Sequence, residues 1–257
     1  MDELQLMQRA LEAAQEAAAL VLEGYRQRPS TRSKASTVDL VTEYDLASER
    51  LVRERLADTG IALVGEEEGG QSSTTGPVWY IDPIDGTTNF AHGHPMFCVS
   101  IGLFDKGLPV LGAVVAPALQ VHWTGCPSRG AFRNGEPCRV SSSQNLGESL
   151  LSTGFAPGEL GGPPHKNIGP FRNALPHVRG VRRDGSAALD LCMTADGTFD
   201  GYWELGLKPW DLAGGAAIAL CAGATISGIQ GEAPDYLAGD LVATNGLIHE
   251  ALVGLLS

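Results

Sequence analysis

A layered fold that mixes α-helices with β-strands, in two subregions, is predicted by three observations. A long amphipathic helix opens the chain, short β-rich runs dominate its middle, and alternating β and α segments fill its second half.

Taken in order, Leu4, Met7, Leu11, Ala14, Ala18, Val21 and Tyr25 alternate spacings of three and four, which lays one apolar stripe along the first helix. Three heptads of mixed Leu and Ala point to a helix packed on a neighbour rather than to a coiled coil. A loop and a short β segment then lead to Thr42 and Asp45, at the start of a second helix carrying Leu46, Leu51, Val52 and Leu56. Residues 61–64, 78–81, 98–104, 110–115 and 121–124 read as strands bounded by Gly, Pro or polar clusters. Turn chemistry fills 125–137, including Asn134-Gly135, and 154–166 reads as a surface loop. Beyond it, 178–182 reads as a strand, 186–195 as a helix, 199–203 as a strand and 212–222 as a helix. Strands at 224–227 and 241–244 and a helix from Leu247 close the chain. With no internal repeat and no linker, residues 1–257 are expected to form a single unit. Its subregions are expected to be about 1–145, with metal and phosphate motifs, and 146–257, on the substrate side.

Composition narrows the function. A 257-residue chain that is 43% hydrophobic can bury one large core or two closely packed halves. No apolar run is long enough for a membrane span, and Met1-Asp2-Glu3-Leu4 is acidic where a secretory signal starts basic. A soluble, cytoplasmic protein is expected. Its five cysteines are odd in number and lack a C-x-x-C pair, so ordinary reduced thiols are expected, with a Cys126–Cys138 pair across a hairpin left open. The net charge of −12, from 30 acids against 18 bases, disfavours direct nucleic-acid binding or an anionic membrane as partner. An anionic substrate would then need a local attractor, and a bound divalent cation is the obvious candidate.

The densest chemistry is Trp79-Tyr80-Ile81-Asp82-Pro83-Ile84-Asp85-Gly86-Thr87-Thr88-Asn89-Phe90. Here a strand is expected to end at Asp82, Pro83 to bend the chain, and Asp85 to follow, so that both carboxylates converge with the Ile84 carbonyl between them. Such hard oxygen donors suit Mg²⁺. Gly86, Thr87 and Thr88 then enter a helix whose first amides are free to bind an anion. The plainer account makes Asp82 a turn former and Asp85 a helix cap. Two further acidic breaks weigh against it: Gly65-Glu66-Glu67-Glu68-Gly69 after a strand, and Trp210-Asp211-Leu212-Ala213-Gly214, where Asp211 opens a helix as either cap or ligand. Together the clusters offer carboxylates from three element ends, as a multi-metal centre needs.

With Gly65-Glu66-Glu67, Trp79–Phe90 and Trp210-Asp211 in this order, the chain resembles the inositol monophosphatase family of the sugar-phosphatase superfamily. Val38-Asp39-Leu40-Val41-Thr42 with Asp45, and Gly185-Ser186-Ala187-Ala188 with Glu204, extend the resemblance from Lys34 to the final helix. It implies a layered α/β/α/β/α sandwich of the inositol monophosphatase/fructose-1,6-bisphosphatase type, assembled as a homodimer. It also implies Mg²⁺-dependent, Li⁺-sensitive hydrolysis of a small polyol phosphate, with inositol monophosphate as first choice and two to three ions per site.

By the same resemblance, Glu66, Asp82 and the Ile84 carbonyl hold the first ion, and Asp82, Asp85 and Asp211 the second, with a third near Glu66. Thr87 positions the water, so that Glu66, Asp85 and Thr87 are the implied catalytic set. The amides of Gly86, Thr87 and Thr88 take the phosphate. Asp85, Ser186, Ala187 and Glu204 meet the sugar, and Lys34, Asp45 and Glu67 support the site. Three departures stand out: Gly214 where Ala is common, His94 before Pro95 where an aromatic is common, and Asp184 before Gly185 where a neutral residue is expected. Relatives that act on fructose bisphosphate, histidinol phosphate or 3′-phosphoadenosine 5′-phosphate remain alternatives, as does an added role on the transcription machinery. His92, His94 and Cys98 match no zinc spacing, and Ser141-Ser142-Ser143 lacks the glycines of a nucleophile elbow.

Overall fold

The computed structural model describes residues 1–27, 32–33, 40–155 and 165–257; Lys34 and most of the 154–166 loop lie outside them. Helix α1 (Glu3–Gln27) leads through the short antiparallel strands β1 (Arg32–Ser33) and β2 (Leu40–Val41) to α2 (Glu43–Leu56). A seven-stranded sheet follows, whose spatial order is its chain order: β3 (Ala62–Gly65), β4 (Val78–Asp85), β5 (Cys98–Asp105), β6 (Leu108–Ala116), β7 (Val121–Cys126), β8 (Gly130–Arg133) and β9 (Glu136–Cys138). Its β3–β4 pair is parallel and each later pair antiparallel. The short helix α3 (Thr87–His92) joins β4 to β5.

A second sheet is built from β10 (Leu150–Thr153), β11 (Gly180–Arg182), β12 (Gly201–Glu204), β13 (Thr225–Ser227) and β14 (Leu241–Thr244) in the order β11-β10-β12-β14-β13. Helices α4 (Ile168–Ala174), α5 (Ala187–Ala195), α6 (Pro209–Cys221) and α7 (His249–Leu256) flank it.

Period-two alternation sorts the larger sheet into two apolar faces. Trp79, Ile81, Ile101 and Leu111 pack under Met7, Ala10, Ala14 and Val21 of α1 and Val52 and Leu56 of α2. Val78, Tyr80, Val114 and Trp123 face the other way, onto Leu189 of α5 and Leu212, Ala213 and Ala216 of α6, with Tyr202 and Ala243 of the second sheet beyond. Ala174, Leu252 and Leu256 of α4 and α7 cover Leu151, Trp203 and Val242 on the outer side of that sheet. The layers are therefore α/β/α/β/α, as expected. Small residues on α6 let the central layer approach closely: a Cβ on Gly214 would stand 2.6 Å from Ser100 Oγ. Gly214, one of the three departures noted in the sequence, thus serves packing.

Several local expectations are corrected. Strand β4 does not stop at Asp82 but runs through Pro83 to Asp85, with a bulge against β5 between the two aspartates. Residues 125–137 contain β8 and the start of β9, with Asn134-Gly135 as their turn. Strand β10 and helix α4 had no expectation attached to them. Cys126 and Cys138 sit on β7 and β9, on either side of β8, and both are free thiols. Among the described residues no helix is long and apolar enough to cross a membrane.

Candidate active site

The site forms where β4 breaks step. Asp82 pairs with Ser100 and Asp85 with Cys98, so three residues of β4 oppose two of β5. An extra residue in one strand bends it and re-aims its side chains. Ser48 Oγ of α2 donates to the Pro83 carbonyl (3.0 Å), and the Ile84 amide donates to Asp82 Oδ1 (3.0 Å). Gly86 then adopts φ +95°, and a Cβ there would stand 2.8 Å from the Met96 carbonyl oxygen. Only glycine allows this turn into α3.

Asp85 is anchored across the layers, to the start of α5. Its Oδ2 accepts from Ser186 Oγ (2.6 Å) and from the Ala188 amide (2.7 Å), which ties β4 to the start of α5. Burial nevertheless pushes it up to about 6, against the lowering effect of those bonds. Ser186 caps α5, so its hydroxyl proton is committed to Asp85, and Ala187 is the first helical residue.

Asp211 is the third residue of α6, not its cap: Lys208 occupies the cap, and its amide donates to Asp211 Oδ2 (2.7 Å). The side chain keeps some solvent exposure, yet the protein around it desolvates the carboxylate. Desolvation, then the charges of Asp85, Glu66 and Glu204, raise it well above the ordinary range. Glu66, Asp85 and Asp211, from a turn, a strand end and a helix start, therefore share one electrostatic field.

The acidic turn is itself held by a residue the sequence reading missed. Glu49 of α2 is fully buried; it accepts from the amides of Glu67 (2.7 Å) and Glu68 (3.1 Å) and pairs with Arg53 (2.7 Å). A Cβ on Gly65 would overlap the Glu49 carboxylate, so the glycine makes room for it. Glu49 lies one helical turn after Asp45 on the same face of α2, a spacing that could have revealed it.

Asp45, also fully buried, accepts from the Thr42 amide (2.7 Å) and hydroxyl (2.6 Å) and from Thr87 Oγ1 (3.1 Å). The Thr87 hydroxyl also lies 2.9 Å from the Ile84 carbonyl, so its one proton has two acceptors. In α3 the first full helical bond runs from the Phe90 amide to the Gly86 carbonyl, so the amides of Gly86, Thr87 and Thr88 lie ahead of the helical ladder.

On the opposite wall, Glu204 is buried over Gly154, where any Cβ would collide with its carboxylate, and Tyr202 Oη donates to its Oε2 (2.7 Å). Burial pushes Glu204 up to about 7. Asn89 Nδ2 donates to the carbonyls of Met96 (2.6 Å) and Asp184 (2.7 Å), which joins the loop after α3 to the loop before α5.

A hard divalent cation fits the chemistry of this donor set: all its candidate ligands are oxygens, and its carboxylates are crowded enough to raise one another's affinity for positive charge. No three described His, Cys, Asp or Glu side chains are already gathered around one point. His92 is exposed while Cys98 is buried beside Asp85 and Ser186, so these two do not form a soft-metal centre. A separate cavity of about 370 Å³ between β13 and α7 contains none of these acids.

A layered sandwich that presents acids at its strand and helix ends is the arrangement that comparison with known proteins places among the metal-dependent phosphoric monoester hydrolases. Residues 2–257 match the family model described as "Inositol monophosphatase family". The chain is 40% identical to a Synechocystis inositol-1-monophosphatase over 95% of its own length and 85% of that protein's. It is 38% identical to a Pseudomonas aeruginosa protein named Nus factor SuhB, over 84% of the chain and 82% of that protein. Among solved structures, an inositol monophosphatase from Anabaena superposes with a TM-score of 0.89 at 37% identity, covering 99% of this chain and 96% of that one. The chain belongs to the inositol monophosphatase family and is a phosphatase of that class.

Proposed function

We propose that the chain hydrolyses inositol monophosphate, or a closely similar polyol monophosphate, with two to three Mg²⁺ ions per site. The observation that supports this reading is that Asp211 lies in the fields of Asp85 and Glu66 while Asp85 is anchored by α5. Glu66, Asp82 and the Ile84 carbonyl would hold one ion, Asp82, Asp85 and Asp211 a second, and Glu66 would lie near a third. Bound Mg²⁺ supplies an acidified water and neutralises charge on the transferring phosphoryl group.

The chain's own residues do the rest. Thr87 Oγ1, its proton held by Asp45 or the Ile84 carbonyl, presents a lone pair that orients the attacking water. Amides of Gly86, Thr87 and Thr88 bind phosphate oxygens at the start of α3. Glu204 receives hydrogen bonds from the polyol hydroxyls, beside Asp85 and the Ser186–Ala187 turn. Glu67, held at its amide by Glu49, supports the turn that presents Glu66.

Phosphate release from inositol 1-phosphate, with Mg²⁺ and with excess EDTA, tests the reading. Turnover is expected only with Mg²⁺ and is expected to fall with added Li⁺. Full turnover in EDTA would overturn the metal mechanism. A second reading, a protein-binding role, draws on the Nus factor name of the Pseudomonas relative. A pull-down by the wild-type chain that the inactive Asp211→Asn variant reproduces would support it.

A further inference from the structure

The residue that opens α4 turns its side chain inward instead of capping the helix. Asn167 stands at the cap position, where asparagine usually accepts a bond from the helix's own first turn. It makes no such bond and is fully buried. Its amide serves the second sheet instead. Oδ1 accepts from Trp203 Nε1 on β12 (2.7 Å), while Nδ2 donates to Thr153 Oγ1 on β10 (2.8 Å) and to the Gly154 carbonyl just beyond it (2.7 Å). Thr153 Oγ1 donates in turn to the Trp203 carbonyl (2.7 Å), which closes the circuit.

This circuit sits where the substrate wall begins. Strands β10 and β12 run parallel, and Thr153 and Trp203 are the last residues in register. Gly154 and Glu204 stand one step past that pair. They are in direct contact, because a Cβ on Gly154 would overlap the Glu204 carboxylate, Oε2 first. The same oxygen accepts from Tyr202 Oη (2.7 Å). Glu204 is thus placed by a hydroxyl of its own strand and by the Gly154 backbone, and the Gly154 carbonyl is in turn held by Asn167.

Only a residue without a side chain can lie this close to the carboxylate, and such a residue has the freest backbone of all, so its place must be fixed from outside. A short hydrogen bond from a buried amide does so. Losing that bond takes a donor from the carbonyl of a buried residue and releases the backbone on which Glu204 rests.

We propose that Asn167 is a positioning residue: a buried amide that clasps the ends of β10 and β12, fixes the Gly154 backbone against the Glu204 carboxylate, and so sets the preference among polyol phosphates. This rests on the functional reading above and extends it to the support of the substrate wall. The side-chain bonds of Asn167 run to β10, β12 and Gly154, and not to the elements that bear Glu66, Asp85 and Asp211. Its effect therefore falls on the polyol and not on the metal.

Steady-state kinetics of the full Mg²⁺-loaded chain on inositol 1-phosphate and fructose 1,6-bisphosphate, beside Mg²⁺ titrations and thermal melts, test the proposal. Asn167→Ala is expected to raise KM for inositol 1-phosphate about tenfold, the worth of one well-aimed hydrogen bond, with kcat and the Mg²⁺ half-saturation held within about twofold. The ratio of kcat/KM between the two substrates is expected to change by about threefold or more. In a Glu204→Gln background, Asn167→Ala is expected to raise KM by less than about twofold further, because both substitutions act through one group. Should Asn167→Ala fold poorly, Thr153→Val, close in shape but without the hydroxyl of the circuit, is expected to show the same KM signature at about two- to threefold. A lowered melting temperature with KM unchanged makes Asn167 a packing residue and overturns this inference alone, as does a loss confined to kcat or full additivity with Glu204→Gln. A wild-type chain that turns over no polyol phosphate overturns the functional reading, and the inference with it.

Discussion

Replacing Asp211 with Asn separates its support of the helix from its proposed part in metal binding. As the third residue of α6 it accepts the Lys208 amide at 2.7 Å. The Asn carbonyl oxygen can accept the same bond, so the structural cost is expected to stay within about 0.5 kcal/mol. Electrostatics acts in the opposite direction. Asp211 is repelled by Asp85, Glu66 and Glu204, and removing its charge relieves that repulsion, so the metal-free variant is expected to melt at or slightly above wild type. With Mg²⁺ at a hundred times its dissociation constant, linkage stabilises wild type by about 2.7 kcal/mol per site. For a chain of this size that is a rise in Tm of about 5–10 °C. The variant, short of one ligand, is expected to lose at least about half of that rise and to show kcat lowered by about 10²–10³ or more. Thermal melts with and without Mg²⁺, beside phosphate release, give both numbers. A variant with full activity and an undiminished Mg²⁺-dependent rise would remove Asp211 from the site, and with it the helix-borne wall of the metal centre.

Three further outcomes follow from the geometry. In metal-free protein, Asp85 and Glu204 are raised to about 6 and about 7, so the folded state binds protons more tightly than the unfolded one. The contribution of these two groups is then full below about pH 4 and is lost as pH rises through about 7, by roughly 3 kcal/mol for each group; a metal-free Tm that Asp85→Asn and Glu204→Gln leave with the same fall over this window would contradict the assignment. Glu49→Ala strips the acceptor from the Glu67 and Glu68 amides and takes the buried partner from Arg53, which keeps Glu68 and the Gly69 carbonyl. It is expected to cost about 3 kcal/mol and to weaken Mg²⁺ binding, and an unchanged melt and metal titration would refute the anchoring role. Asp184, half-buried and facing Arg182, His94 and Arg183, is expected on replacement by Ala to change KM or substrate ranking while the Mg²⁺ requirement stays; unchanged kinetics across both substrates would make it a surface charge.

The parts of the fold legible in the sequence were those with strong periodicity. The stripe from Leu4 to Tyr25 became α1, and the run at 241–244 became β14 with the expected bounds. What escaped was short or locally ambiguous. Strands β8 and β9 are four and three residues long around an Asn-Gly turn, too short for alternation to stand out from turn chemistry. Strand β4 was cut short at Pro83 because proline usually ends a strand, whereas here a bulge accommodates it. Among site residues, those within a contiguous motif were visible, because a strand end and a turn bring neighbours in sequence together. Glu49 and Gly154 were not. Each acts on a residue far along the chain, Glu49 on the turn at 66–68 and Gly154 beneath Glu204; the spacing of Glu49 from Asp45 marks a shared helix face but not the turn it holds, and nothing local marks Gly154.

The electrostatics of the site also explain how a chain of net charge −12 can act on an anion. Asp85, Glu204 and Asp211 are all held above their ordinary affinities for protons, with burial as the first cause in each case. The protein thus maintains a pocket whose empty form is electrostatically unfavourable, and the rigid layers supply the energy that keeps it folded. Asp85 is tied to α5, Glu49 ties the acidic turn to α2, and Gly214 lets α6 approach the sheet at Ser100. Such strain is useful because a divalent cation relieves it. On the proposed reading Asp85 and Asp211, which repel a phosphate in the empty site, would hold the positive charge that attracts it in the loaded one. Substrate affinity and metal affinity are therefore coupled through one set of groups. Weakening any anchor of that set is expected to lower both together, whereas loss of the Tyr202 hydroxyl that holds Glu204 is expected to touch only the polyol.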